Sequence, residues 1–567
     1  MTAPPLSGTC ESELLTRVLG ALLREDVVGL RSRSALVHRP DGDWLRLPTA
    51  GDALLLPVTE DGYQSEHRAR LPLLVRESDG AELTSYETVL GALRELAEPV
   101  DRDGFDAFAE ECRQTLDTMR LHARTRDETD QRLTERYGDD PARWTGLAYD
   151  TLAARLDHPV YPTARGRSGL AEKQLRAYAP EFHPLFALRW LAVPHDAVTL
   201  TGPLPDLWPT PARLGLPEVE QTHVALPVHP LTVGAPLDEA LRTTGLAGRA
   251  LLAEQTHLDV VPTLSMRTVA VAADPSLHLK LPLATATLGL RNKRTIKPGS
   301  LVDGAAGQRL VETVIAREPR FRDTILHADE TTYAHAGHEL LAVLCRRFPA
   351  FPGDSVVVPA AALLAEAPGG RPVLHHLADR FYDGDPLALL DAYLTLLFDW
   401  QTTLFDYGIA LESHQQNISL VFGPGGLRLL FKDNDGPRIN ASRLAAVLPG
   451  PWGFDDPRTF TAGDGAVADV FATITVHLCA GAYAFSLAEH RAALLGLVRE
   501  RLAGAVDRLG GDAGAVLRAR VLEAARLPVK AMVTAGTLLS KERSGAADVN
   551  KHYTSGPNYL LPGGGSA

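Results

Sequence analysis

The 567-residue sequence predicts an α+β protein, helical towards both ends and mixed in the middle. Three observations carry that reading. Apolar residues recur at three- and four-residue spacings over 11–37, 83–122 and 388–407, the period of an amphipathic helix. Between about 145 and 385, short Pro- and His-containing clusters separate strand-like runs such as HVALPV and RTVAVAA. At 418–431, ISLVF and LRLLF flank the turn GPGG, which reads as a β-hairpin.

Taken in order, Leu90, Leu93, Leu96, Phe105 and Phe108 form the apolar stripe of the second helical stretch. The run 124–143 carries charges of both signs and reads as a solvated helix. The best strands of the middle region fall within 197–232 and 258–290. Over 388–407, Leu390, Tyr393, Leu394, Leu397, Phe398, Leu404 and Phe405 share a face, and Gly408 is a natural stop. Residues 466–506 and 514–541 read as helix again, and the terminal LPGGGSA as a frayed tail. The division is 1–145, 146–384 and 385–567.

Net charge is −13, which disfavours a general nucleic-acid binder. Cys10, Cys112, Cys345 and Cys479 lie too far apart for a zinc knuckle and fit small buried apolar residues in a reducing compartment. The N-terminal MTAPPLSGTCESELL lacks the basic and apolar regions of a secretory signal. No uninterrupted apolar run approaches the ~20 residues of a membrane span. The expectation is a cytoplasmic protein with no nucleic-acid or membrane partner.

The stretch LESHQQNISLVFGPGGLRLLFKDNDGPR, 411–438, is the most informative. Pairing Phe422 with Leu427 sets Ile418 opposite Phe431, so Asn417 and Asp433 fall together at the open end. An amide oxygen beside a carboxylate suits Mg²⁺, a hard ion that completes its shell with substrate phosphates. The same residues also suit a polar hairpin end whose aspartates close turns. In HPVYPTARGRSG, 158–169, Arg165 and Arg167 could fork onto phosphate or carboxylate, or stand solvated on a loop. PTLSMRT, 262–268, gathers Ser265, Arg267 and Thr268, with Lys280, Thr287 and Arg291 downstream; this is an anion clamp or an ordinary strand with snorkelling ends. His229 and His414 are lone histidine candidates. HAGHE at 335–339 is not the HExxH zinc motif. Neither a GxxxxGK[ST] loop nor a convincing GxGxxG is present, so any use of ATP lies outside the commonest nucleotide folds.

Together these motifs resemble the siderophore synthetases that work independently of nonribosomal peptide synthetases, of the aerobactin-synthetase type. HPVYPTARGRSG is similar to HPxHPxxKxRxG, LPVHP to PVHPWQ, and PTLSMRT to PTxSxRT. Lys280, Thr287 and Arg291 follow as KLxL…T…R. ESHQQN resembles ExHxQN, KDNDG resembles RDxxG, and SGPNYL resembles a closing NPL. The likeness runs over roughly 150–560 in a consistent order. It departs at Tyr161, Arg165, Lys432 and Leu231–Thr232.

The resemblance implies a helical thumb at 1–145, α/β fingers with an antiparallel sheet at 146–384, and a largely helical palm at 385–567. That palm would be like ferric siderophore reductases and carry the metal hairpin. It implies a ligase that adenylates citrate or a citrate-like acid with Mg-ATP and passes the acyl group to an amine or alcohol. A homodimer is expected. His158, Arg165, Arg167, Ser265, Arg267, Thr268 and Lys280 would hold ATP, Asn417 and Asp433 would ligate Mg²⁺ with the catalytic candidate Glu412 nearby, and Thr287, Arg291 and His414 would hold the acid. Two alternatives stand beside it. A phosphotransferase could use the Asn417/Asp433 pair, although Glu412 occupies the place of a kinase's catalytic Asp. A non-catalytic binder of citrate-like acids would bind without turnover.

Overall fold

The computed structural model describes residues 6–545 and 552–561; most of the tail read as frayed, 562–567, lies outside them. The chain is mixed α and β, with a nine-stranded antiparallel sheet at its centre.

The N-terminal third is not purely helical. After the helix Leu6–Arg24, a six-stranded antiparallel sheet is built from strands between Ala35 and Leu83. Its longest members, Gly42–Pro48 and Ala53–Glu60, pair over six positions and bury Leu45, Leu47, Leu54 and Leu56. The helix predicted to run to residue 37 stops at Arg24, and strand Ala35–Arg39 takes up the end of that stretch. Helix Tyr86–Arg94 starts at Ser85, whose hydroxyl accepts the Thr88 N–H at 3.3 Å. The 36-residue helix Arg102–Tyr137 follows, and its charged second half is the solvated stretch read from the sequence.

The central sheet contains both predicted strands, His223–Val228 and Thr268–Val271. Strands His257–Pro262, Thr268–Val271, Asp274–Lys280 and Ala342–Arg347 lie side by side in that order. Thr268 pairs with Lys280, and His278 with Arg346, so the sheet brings the PTLSMRT turn, Lys280 and Arg346 to one end. HAGHE is the turn between strands Asp329–His335 and Ala342–Arg347.

Helix Pro386–Asp406 forms as read. Asp385 caps it by accepting the Leu387 and Ala388 N–H groups at 2.8 and 3.2 Å, and Pro386 occupies the first turn. The chain leaves at Gly408, φ +79°, where a Cβ would come within about 3.1 Å of the Asn440 carbonyl oxygen. The predicted hairpin is strands Ile418–Phe422 and Arg428–Phe431, with Ile418 opposite Phe431. It is flanked by Val356–Pro359 on one side and Ile325–His327 on the other, so this sheet draws strands from both sides of residue 384.

Further on, helix gives way to wider i→i+5 turns at Phe471–Gly481, and 514–541 is not continuous helix. Strand Arg526–Lys530 interrupts it, paired with Tyr553–Pro557. Tyr559 of SGPNYL lodges beside Gly481, its hydroxyl 2.8 Å from His477 Nδ1. The stretch Gly465–Ser486 is long and apolar enough to cross a membrane by composition. Asp469, Thr473, Thr475 and His477 interrupt its apolar run, and 83% of its most apolar window is buried inside the fold. All four cysteines are buried and unpaired by disulfides.

Candidate functional site

The hairpin mouth meets the end of the central sheet. Asp433, just past strand Arg428–Phe431, takes φ +66°, a left-handed conformation that a short polar residue tolerates. Its N–H donates to both Glu330 carboxylate oxygens at 3.0 and 3.1 Å. Its own carboxylate pairs with Lys280 Nζ, and Arg346 Nη2 lies 3.3 Å away. Lys280 also reaches Asp435 Oδ2 at 3.4 Å, and Arg346 pairs with Glu330. Burial pushes the Asp433 pKa up, but Lys280, Arg346 and Arg267 outweigh it and hold the carboxyl far below its ordinary value. A narrow cleft, with room for about one water, opens on this network and is lined by Lys280, Ser300, Gly304, Glu330, Asp433 and Asp435. A larger depression of about 460 Å³ lies on the surface around His195, His223 and Arg249.

The PTLSMRT turn sits beside this cluster. Ser265 Oγ accepts the Thr268 N–H at 3.1 Å, and Arg267 Nη1 donates to the Thr295 carbonyl at 2.7 Å. Met266, φ +63°, bends the chain tightly enough for Thr263 N–H to reach the Thr268 carbonyl at 2.9 Å. Arg294 was not singled out by the sequence reading. It faces the same cluster, and its pKa is lowered to about 9 by burial, then by Arg267 and Arg167.

On the other side, 412–417 folds into consecutive tight turns. His414 N–H donates to the Glu412 carbonyl at 3.0 Å and Asn417 N–H to the His414 carbonyl at 2.8 Å. Asn417 Nδ2 donates to the Glu412 carbonyl at 3.3 Å, and the Asn417 carbonyl receives the Lys432 N–H at 3.1 Å. This fixes Asn417 next to the Lys432–Asp433 step. Glu412 Oε1 is buried, accepts no hydrogen bond, and stands 3.8 Å from Lys530 Nζ. His414 Nδ1 accepts the Gln416 N–H, so its proton is on Nε2; burial, then Lys530, lower its pKa to about 4. His158 is held likewise, with Nδ1 accepting the Val160 and Tyr161 N–H groups at 3.2 Å. Burial and then His414 lower it to about 3.

The remaining predicted residues are tied up with other protein groups outside the Asp433 ion-pair network. Arg165 forks onto Asp157 at 2.8 and 2.5 Å and also meets Glu13. Arg167 is buried on Glu181 at 2.5 Å and on the Ala164 and Gly166 carbonyls. Both arginines thus brace the 158–169 loop through protein groups. Thr287 and Arg291 lie on the loop 284–297, where Arg291 donates to the Gly536 and Ala535 carbonyls at 3.2 and 3.3 Å. His229 is fully buried, its Nδ1 accepting the Leu231 N–H. Thr232 anchors to the Pro282 carbonyl at 2.9 Å, so this departure from the family pattern has a structural partner here.

No group of three His, Cys, Asp or Glu suited to a metal occurs among the described residues. The donors at the hairpin mouth are oxygens, and one neighbouring carboxylate oxygen, Glu412 Oε1, is buried with no hydrogen bond and only the Lys530 ammonium 3.8 Å away. That set fits a hard cation taking few protein ligands and the rest from a bound phosphate.

Residues 147–365 match the IucA / IucC family, and residues 387–544 match the ferric iron reductase FhuF-like transporter family. The rhizobactin siderophore biosynthesis protein RhbC of Rhizobium meliloti is 25% identical over 480 residues, covering 75% of this chain and 76% of its own. An L-2,3-diaminopropanoate–citrate ligase of Staphylococcus aureus is 31% identical over 137 residues, 23% of each chain. The petrobactin biosynthesis protein AsbB of Bacillus anthracis superposes with a TM-score of 0.77 at 16% identity, over 98% of this chain and 96% of its own. The ATP-bound aerobactin synthetase IucA of Klebsiella pneumoniae does so at 0.67 and 19%, over 97% and 99%. The chain therefore carries an IucA / IucC family domain over residues 147–365, and its relatives include proteins named for siderophore biosynthesis and for joining diaminopropanoate to citrate.

Proposed function

We propose that this protein is an ATP-dependent ligase in siderophore or related natural-product synthesis. It would activate a carboxyl of citrate or a citrate-like acid as an acyl-adenylate and transfer the acyl group to an amine or alcohol. The observation that carries this reading is the anionic Asp433 set among Lys280, Arg346 and Arg267 at a cleft. It is supported by relatives named for joining citrate to amines, and by a structural neighbour with ATP bound.

The chemistry asks for such a site. A carboxylate oxygen must attack the α-phosphorus of ATP while the bond to pyrophosphate breaks, so anion approaches anion. Fixed cations lower that repulsion and hold the two in line. In this proposal Ser265, Arg267, Thr268, Lys280 and His158 hold the nucleotide. Arg165 and Arg167 keep the 158–169 loop in shape. Thr287, Arg291 and His414 hold the acid, His414 as a neutral donor through Nε2. Held by Asn417 and Asp433, Mg²⁺ would neutralise phosphate charge. In the second half-reaction the neutral amine attacks the acyl carbon, the bond to AMP breaks, and the amine's proton leaves.

Incubation with Mg-ATP, hydroxylamine and a panel of di- and tricarboxylic acids is expected to give AMP and a hydroxamate with the cognate acid. ADP in place of AMP would replace the ligase by a phosphotransferase, and saturable acid binding without either product would leave a binder. Arg291→Ala is expected to lower kcat/KM for the acid roughly ten- to a hundredfold, the loss of a charge-assisted contact. A change confined to the KM of ATP would reassign Arg291 to the nucleotide.

A further inference from the structure

Glu111 belongs to none of the motifs, yet it is the point where three of the site's segments meet. It lies in the third turn of helix Arg102–Tyr137 and is 8% exposed. One carboxylate oxygen accepts the Tyr161 hydroxyl at 2.9 Å and the Thr163 hydroxyl, both from the 158–169 loop. The other accepts the Thr537 hydroxyl at 2.8 Å, from the turn after strand Arg526–Lys530. The loop that carries Arg291 is reached through Thr537, whose hydroxyl oxygen also accepts the Leu290 N–H.

The contacts around it make this a joint. Thr537 Oγ1 accepts the Leu290 N–H at 3.3 Å. Gly289 takes φ +109° and lies so close to Gly536 that a Cβ there would come within 2.9 Å of the Gly536 Cα. Arg291 is then pinned through both its N–H and its guanidinium to the Gly536 and Ala535 carbonyls. Behind the joint, Thr115 of the same helix donates to the Thr163 carbonyl at 3.3 Å. Tyr161, where the family pattern has histidine, is fully buried and serves this joint.

We propose that Glu111 is a positioning residue. Its carboxylate ties the 284–297 loop, and with it Arg291, to residues 534–538 and to the 158–169 loop. The functional consequence rests on the reading above in which Arg291 meets the acid. Glu111 accepts from neutral donors, so one carboxylate orders three hydroxyls without a counter-ion competing for it. A glutamine at this position keeps an acceptor for Tyr161 and Thr163, and its amide can donate to the Thr537 oxygen.

The test uses the full-length protein with Glu111→Leu, Glu111→Gln and Thr537→Val, followed by hydrogen exchange and steady-state kinetics. Glu111→Leu and Thr537→Val are expected to speed amide exchange over 284–297 by about tenfold or more, with helix Pro386–Asp406 unchanged. They should raise the acid's KM roughly tenfold while the KM of ATP moves less than about twofold. Glu111→Gln should bring both readouts within about threefold of the parent. Unchanged exchange over 284–297 in folded Thr537→Val, or equal rises in both KM values, would overturn the proposal. If Glu111→Leu does not fold, Thr537→Val carries the test alone, because it removes a single hydroxyl. Arg291→Ala separates the two claims. If it leaves the acid's KM unchanged while Glu111→Leu as well as Thr537→Val still loosens the loop, the role of Arg291 fails and the anchoring by Glu111 stands.

Discussion

Asp433→Asn is expected to reduce AMP formation on the order of a hundred- to a thousandfold while the protein stays folded. The choice of asparagine follows from the backbone. At φ +66° an alanine would pay about 1–2 kcal/mol, whereas asparagine visits this region readily. The Asp433 N–H is held by Glu330, so the backbone keeps its anchor when the side chain changes. Breaking a buried ion pair from one side usually costs ~3–5 kcal/mol because a charge is left uncompensated. Here the loss is smaller. Lys280 keeps Asp435 at 3.4 Å, and Arg346 keeps Glu330. The charge at the cleft, by contrast, changes outright, because the carboxylate that would face the cation is gone. AMP release measured beside a thermal melt checks this, and undiminished turnover in a folded Asp433→Asn protein would remove Asp433 from the site.

The parts of this site that were legible in the sequence are those set by short-range geometry. The turn at 423–426 fixes the hairpin register, and the register alone puts Asn417 beside the Lys432–Asp433 step. The seven apolar residues read from helix Pro386–Asp406 are all buried, because a 3.6-residue period leaves few alternatives. What depends on distant partners was not legible. Lys280 meets Asp433 across 153 positions, and neither residue's neighbours announce the other. Arg526–Lys530 reads as helix because its strand partner, Tyr553–Pro557, comes from the chain's last residues. The sheet between Ala35 and Leu83 was hidden in the same way, its strands stabilised by cross-strand pairing more than by local preference. Glu111 is the sharpest case. In a helix full of charge, one more glutamate reads as solvated, and its partners lie 50 to 426 positions away.

Acid should unfold this protein through its buried histidines. His122, His183, His229, His278 and His477 are each less than a tenth exposed. Burial holds His183 and His229 at about 3 and His477 at about 4, with His122 and His278 also well below the ordinary value. The unfolded chain takes up protons near pH 6.5, whereas the folded chain does so only at these lower values. The stability contributed by each neutral imidazole is therefore complete above pH 6.5 and is lost as pH falls towards the folded pKa. Within that window each histidine costs about 1.4 kcal/mol per pH unit, and total stability is only about 5–15 kcal/mol. Buried acids work against this. Burial raises Glu25, Glu111 and Asp150, and takes Asp61 up to about 6, so these groups gain protons in the folded state first. The single-site variant separates the two signs. In His229→Gln the fall in unfolding free energy between pH 6.5 and 4.5 should be shallower by close to one proton's worth of slope. His229 is the cleanest choice, since burial is the sole cause of its shift and its Nε2 has no hydrogen-bond partner. An unchanged slope would mean that His229 is already protonated in the folded protein.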